Sequence, residues 1–265
     1  MAIQNPPRKP APKMPESNAK PPRRPQQRRP LVPGWLWTVI ALLAIGVAIA
    51  GVTGGSSTKK AAFVPATVAV AHYSTLPVYA TPGGAVTHTL ANPDPTNYNQ
   101  PQVLLVLHNA GDWLQVSLPI APNGQTGWVR ASQVTQHAND YRVDVLRAEH
   151  QLRVYRQNVL QKTYPIAVGT ADTPTPGGVY FLKVLLQPPN PAGAYGPYAY
   201  GLSGYSSVLT NFDGGNGVIG IHGTDQPQVV GHDASHGCIR LNDADITDLH
   251  NRFDLKLGTP VRILA

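Results

Sequence analysis

The chain has 265 residues, 42% of them hydrophobic and 13% charged, and a formal net charge of +7. That excess lies in residues 1–30, where eight Lys or Arg face one acid, Glu16; residues 31–265 hold thirteen charges of each sign, so the basic balance marks no nucleic-acid-binding face. Cys238 is the only cysteine, which excludes an internal disulfide.

Residues 1–30 contain nine prolines and almost no apolar side chains, the composition of a disordered basic flank. Residues 31–54 carry no charge, and the nineteen from Trp35 to Thr53 reach about 28 Å as a helix, enough to cross the hydrocarbon core. The apolar run exceeds that of a cleaved signal peptide, so a retained single-pass anchor is expected. Trp35 and Trp37 fit its interface, and the positive tail holds the N-terminus in the cytoplasm and sends the rest of the chain outward. No cysteine stands directly after the span to take a lipid. Residues 55–65 read as a linker.

Residues 66–137 show short β runs, Thr67–Ala71, Leu76–Tyr79, Val103–Leu107, Trp113–Leu118 and Gly127–Val129, parted by Pro, Gly and Asn. They predict a small barrel with Trp113 and Trp128 in its core, since a large aromatic stabilises so small a unit. The segments Gly111–Val116 and Thr126–Val129 resemble bacterial SH3-like domains. Residues 140–265 are the size of a second domain. Val143 and Val145, then Leu152, Val154 and Tyr155, alternate as strands around a turn at Ala148–His150; Gln157–Asn158 is a second turn, and Thr163–Gly169 and Val179–Gln187 are further strands. Between those two strands, Asp172–Gly178 is a rigid Pro- and Gly-rich loop. Gln187–Ser207 is long enough to be a lid or binding loop, with Tyr195, Tyr198 and Tyr200 as candidate aromatic walls and Tyr198 as the candidate substrate contact. The fold class is therefore mainly β, with one helix beginning after Asn242 and burying Ile246, Leu249 and Phe253. Val261 and Ile263 mark a closing strand expected to pair with the strand that carries the site.

The candidate site is the stretch from His222 to Cys238. Val218–Ile221 reads as a buried strand delivering His222 at its end, and Cys238 falls on the turn before the helix. A free thiol is mostly protonated at neutral pH, and an adjacent imidazole supplies the base that makes it a nucleophile. Backbone N–H groups around Gly237 and Cys238 are placed for an oxyanion hole. His222, His232, His236 and Cys238 also contain zinc-ligand types, but their spacing matches no common zinc module, and neither a metal nor a cofactor is expected.

His222-Gly223, followed by Ser235-His236-Gly237-Cys238-Ile239-Arg240-Leu241, resembles the signature of the YkuD family of L,D-transpeptidase catalytic domains. The resemblance covers nearly all of residues 140–265. It implies that Cys238 is the nucleophile, His222 the base and the Gly223 carbonyl its orienting partner. Ser235, His236 and Gly237 would shape the pocket and Arg240 would meet a substrate carboxylate. The implied activity is cross-linking of peptidoglycan stem peptides on the outer side of the membrane, through a thioester on Cys238. The residues by themselves show only a thiol acyltransferase or hydrolase, which leaves an L,D-carboxypeptidase and a non-catalytic wall-binding scaffold as alternatives.

Overall fold

The computed structural model describes residues 63–209 and 216–265. The basic tail, the apolar span at 31–54 and most of the linker lie outside the described residues; among the described residues no helix is long and apolar enough to cross a membrane. Seven strands come first in the chain: β1 (Ala66–Ala71), β2 (Thr75–Tyr79), β3 (Val86–Ala91), β4 (Val103–Asn109), β5 (Trp113–Ser117), β6 (Thr126–Arg130) and β7 (Val134–Asn139). They form one antiparallel sheet in the order β3-β2-β6-β5-β4-β1-β7, with β3 and β7 at its ends.

The strand period settles which side chains this sheet buries. Leu114 and Val116 of β5 and Val129 of β6 are fully buried, so their neighbours Trp113 and Trp128 point to the opposite face. This corrects the expectation that both tryptophans fill the core. Trp113 packs edge-on against Tyr79 with the Arg130 guanidinium over its ring, and Trp128 meets His108 edge-on. The aromatic ring that does enter this core is Phe181, fully buried, from the following sheet.

The strands that follow are β8 (Tyr141–Leu146), β9 (Gln151–Arg156), β10 (Val159–Pro165), β11 (Val168–Gly169), β12 (Gly178–Leu186), β13 (Ala199–Tyr205), β14 (Val218–His222), β15 (Asp233–Ser235), β16 (Ile239–Arg240) and β17 (Pro260–Leu264). Eight of these run in the order β10-β9-β8-β17-β12-β13-β14-β16, while β11 and β15 form a separate parallel pair. The β9–β10 hairpin turns on Gln157 and Asn158, both at positive φ, as a tight hairpin requires. The closing strand β17 does not pair with the strand that carries the site. It lies in the middle of the sheet, parallel to β8 and antiparallel to β12, because Val261 and Ile263 need burial on a central strand. Its Arg262 ties β8 by an ion pair to Asp144; burial pushes that carboxyl up, but Arg262 and Arg142 outweigh it and hold the pKa below its usual value.

One helix, α1 (Asp243–Phe253), follows β16. Its first turn is fixed by Asn242, whose side-chain oxygen accepts from the Asp245 N–H at 2.8 Å, and it ends at Asp254 in the left-handed region. Ile246, Leu249 and Phe253 form the buried stripe that docks α1 against the sheet core, as the spacing predicts. The two sheets are joined beyond Phe181. Asn97 Nδ2 donates to the Lys183 carbonyl at 3.0 Å, Asn123 bonds the backbone of Tyr205 in both directions, and Tyr205 Oη donates to the Pro119 carbonyl at 2.7 Å.

Candidate active site

His222 is the last residue of β14, and Cys238 immediately precedes β16. The parallel register pairs Ile221 with Ile239 and His222 with Arg240, which sets Cys238 beside Gly220. The Gly220 N–H donates to Cys238 Sγ at 3.4 Å. Positions 220 and 222 share a face of the strand, and a side-chain carbon built on Gly220 would stand 3.7 Å from His222 Cδ2. Cδ2 is bonded to Nε2. The thiol therefore lies against the main-chain amide of Gly220 and the Nε2 edge of the imidazole beside its side-chain position, so the two groups share Gly220 as a neighbour.

The imidazole's tautomer follows from its other nitrogen. Nδ1 lies 2.6 Å from the Gly223 carbonyl, which can only accept, so Nδ1 carries the hydrogen and Nε2 is the basic nitrogen. Burial holds the His222 pKa down to about 4, against the Gly223 hydrogen bond, which pulls it up. Burial likewise pushes the Cys238 thiol up, opposed by the Gly220 N–H and the Arg240 guanidinium. At neutral pH the pair is a neutral thiol and a neutral imidazole.

A pH dependence follows from the low His222 value. The acidic limb of kcat/KM for the free protein is expected near pH 4, not near 6.5, because Nε2 stays unprotonated down to that point. The stability linkage has the same sign. An unfolded histidine takes up its proton near pH 6.5 and the folded one only near 4, so stability from this group is complete above 6.5 and is lost as pH falls through 4. A kcat/KM profile from pH 3.5 to 8 checks the first point; an acidic limb near 6.5 would contradict it.

The turn before Cys238 is held from inside. Ser235 Oγ donates to the Cys238 carbonyl at 2.6 Å and accepts from the Gly237 N–H at 3.1 Å, so the Gly237 amide is committed to Ser235. Thr175, buried in the Pro- and Gly-rich loop, donates to the Gly237 carbonyl at 2.9 Å and accepts from the Gly169 N–H at 2.8 Å. The sequence marks that loop as rigid, but Thr175 as the clamp of the cysteine turn and Gly220 as the shared neighbour of thiol and imidazole emerge only in the fold.

His236 is exposed. Arg240 forms no ion pair among the described residues, and its Nε is buried with no hydrogen-bond partner; its backbone is bonded in both directions to Ala167. Tyr198 does not stack on the histidine. Its ring stacks on His250 of α1, with centroids 3.9 Å apart, and its carbonyl accepts from the Gly223 N–H. The ring over His222 is that of Tyr195, at 4.9 Å between centroids. Neither Cys238 nor His222 lines the cavity of about 720 Å³ bounded by Val68, Tyr141, Arg156 and Phe253. Among the described residues no group of three or more His, Cys, Asp or Glu is placed to hold a metal ion.

Residues 140–263 match the YkuD family, the L,D-transpeptidase catalytic domain. The match runs from the end of β7 to within β17 and takes in Cys238, His222, Gly223 and the whole clamped turn. The YkuD protein of Bacillus licheniformis is 38% identical over 109 residues, and that of Bacillus subtilis 34% over the same length. Each alignment takes in 41% of this chain and 58% of the relative, so the chain spans less than two thirds of the YkuD proteins it matches. The crystal structure of L,D-transpeptidase 3 from Mycobacterium tuberculosis overlaps 53% of this chain and 74% of its own at 16% identity, with a TM-score of 0.39, too low to bear on the assignment.

Proposed function

We propose that the chain is a peptidoglycan L,D-transpeptidase that works through a thioester on Cys238. The observation that carries this reading is that the Cys238 thiol and the His222 imidazole are both placed against Gly220, inside the region that matches the YkuD catalytic domain. In the first step Nε2 takes the thiol proton and Sγ bonds to the carbonyl carbon of an L,D peptide bond in a donor stem. The tetrahedral intermediate collapses, the C–N bond breaks, and the terminal D-residue leaves as an amine carrying the proton returned by the imidazolium. In the second step the amine of an acceptor stem attacks the thioester, His222 takes its proton, and the thiolate leaves and is reprotonated.

With the Gly237 amide bonded to Ser235, the Cys238 N–H is the oxyanion donor this turn offers. Ser235 holds the turn, His236 lines the pocket, and Arg240, charged beside both reacting groups, is the candidate partner of a substrate carboxylate. Tyr195 is better placed than Tyr198 to wall the donor stem; Tyr198 supports the loop from behind. In the same reading the apolar span at 31–54 tethers the chain in the cell membrane with its N-terminus in the cytoplasm. The sheet of β1 to β7 is an SH3-like unit beside the catalytic region on the wall side.

The test is mass spectrometry of muropeptides after the purified full-length chain is incubated with tetrapeptide stems. Cross-linked dimers with release of the terminal D-residue are expected. Tripeptides accumulating without dimers would assign hydrolysis instead, and unchanged tetrapeptides would contradict the acyl-transfer reading.

A further inference from the structure

The carbonyl that orients His222 belongs to the peptide unit between Gly223 and Thr224. The other end of that unit is also engaged: the Thr224 N–H donates to Asp243 Oδ1 at 3.0 Å. A peptide unit is planar, and its N–H and C=O point in opposite directions, so fixing one end aims the other. We propose that Asp243 is a positioning residue for His222, acting through the Gly223–Thr224 peptide. This rests on the reading that Cys238 and His222 form the reacting pair.

Three features place the carboxylate there. Asp243 is the first residue of α1, immediately after the Asn242 cap, and that helix is anchored by its buried stripe. Oδ1 sits in a notch between Gly196 and Gly223, where a methyl group added at either glycine would collide with it. Asp243 also forms no ion pair with Arg240 or any other cation among the described residues, so its acceptor capacity is directed at the peptide. An anion accepting from the N–H end polarises the amide and makes its carbonyl a stronger acceptor. The Gly223 oxygen then holds Nδ1–H more firmly, which keeps Nε2 free and favours the imidazolium once the thiol proton arrives. The bland role for an acid in the first turn of a helix is to complement the helix dipole. Asp245 meets that description equally, yet it bonds only the Asn242 cap.

Among the described residues, the charged and titratable groups around His222 are Arg240 from the β16 side, Tyr195 from the loop before β13 and Asp243 from α1, with Cys238 sharing Gly220 as a neighbour. Of these, Asp243 alone reaches the imidazole through its orienting carbonyl.

The test compares Asp243→Ala, Asp243→Asn and Asp245→Ala in the full-length chain, with iodoacetamide alkylation of Cys238 followed by mass against pH. Asp243→Ala is expected to slow alkylation at neutral pH on the order of tenfold, the effect of about one pKa unit lost at the imidazole, and to move its rise to higher pH. Asp243→Asn, which keeps an acceptor but not the charge, should slow it roughly threefold. Asp245→Ala should leave rate and profile unchanged. The Nδ1–H proton resonance of His222 should move upfield in both Asp243 variants. Should Asp243→Ala not fold, the near-isosteric Asn variant decides: an unshifted profile and an unshifted Nδ1–H resonance overturn the proposal. So does an equal effect of Asp243→Ala and Asp245→Ala. Alkylation needs no stem peptide, so a wild-type chain inert on stems but with the shifted Asp243 profiles would sink the proposed function alone. Normal stem turnover with unshifted Asp243 variants would sink only the relay.

Discussion

Cys238→Ala is expected to abolish turnover of stem peptides, and His222→Ala to slow formation of the acyl-enzyme by roughly 10²- to 10⁴-fold, the usual contribution of a positioned general base. The geometry explains the difference in kind. Without Sγ no covalent intermediate can form, whereas without Nε2 the half-buried thiol must lose its proton unaided, from a pKa that desolvation has already raised. Because the two groups act as a unit, the double variant should be no slower than Cys238→Ala alone. Single-turnover acylation monitored by intact mass checks this, with circular dichroism confirming that each variant is folded. Acylation by His222→Ala at the wild-type rate would mean that some other group takes the proton.

The largest expected effect on stability comes from a residue far from the chemistry. Phe181 belongs to β12 of the sheet that carries the site, yet its ring is fully buried in the core of the sheet of β1 to β7. Phe181→Ala should cost about 3–5 kcal/mol, the range for deleting a buried aromatic ring. Its main-chain N–H is bonded to Ser203 Oγ at 3.1 Å, so the strand that shifts is also stitched to β13, which in turn pairs with β14. Two probes separate the halves. Trp113 and Trp128 report on the first sheet, and residues 140–265 contain no tryptophan, while accessibility of Cys238 to a thiol reagent reports on the second. In denaturant both signals should change in one transition, and Phe181→Ala should move both together. Transitions that separate, with only the fluorescence shifted, would show two independently stable domains.

How much of this was legible in the sequence depended on whether local pattern or tertiary contact decided the outcome. The helix α1 was readable because its cap and its buried stripe are both local signals. The nearness of Cys238 and His222 was readable because a strand ending at 222 and a glycine-bearing turn before 238 are local signals. The strand β13 was hidden within the apparent lid. Its sequence Ala-Tyr-Gly-Leu-Ser-Gly-Tyr looks like a loop, but Gly204 is there because a side chain would collide with the Tyr180 ring, and Tyr200 and Leu202 are buried. The edge strands β3 and β7 escaped notice because most of their side chains are exposed and polar, with no period to read. The tryptophans were assigned to the wrong face because aromatic size suggested burial, while the alternation of Leu114, Val116 and Val129 decided it and Phe181 filled the gap from another sheet. Thr175, Gly220 and Asp243 carried no signal by type; they matter for what they touch across 62, 18 and 19 positions of chain.

Whether the sulfur of Cys238 is made reactive by His222 is tested most directly by intact-mass spectrometry and peptide mapping of the full-length chain incubated with a penem, an acylating agent that reports on the thiol without an acceptor. A single covalent adduct on the peptide containing Cys238 is predicted, absent in Cys238→Ala and greatly slowed in His222→Ala. A folded chain that takes up no adduct, or takes it up as fast without His222, would contradict the account.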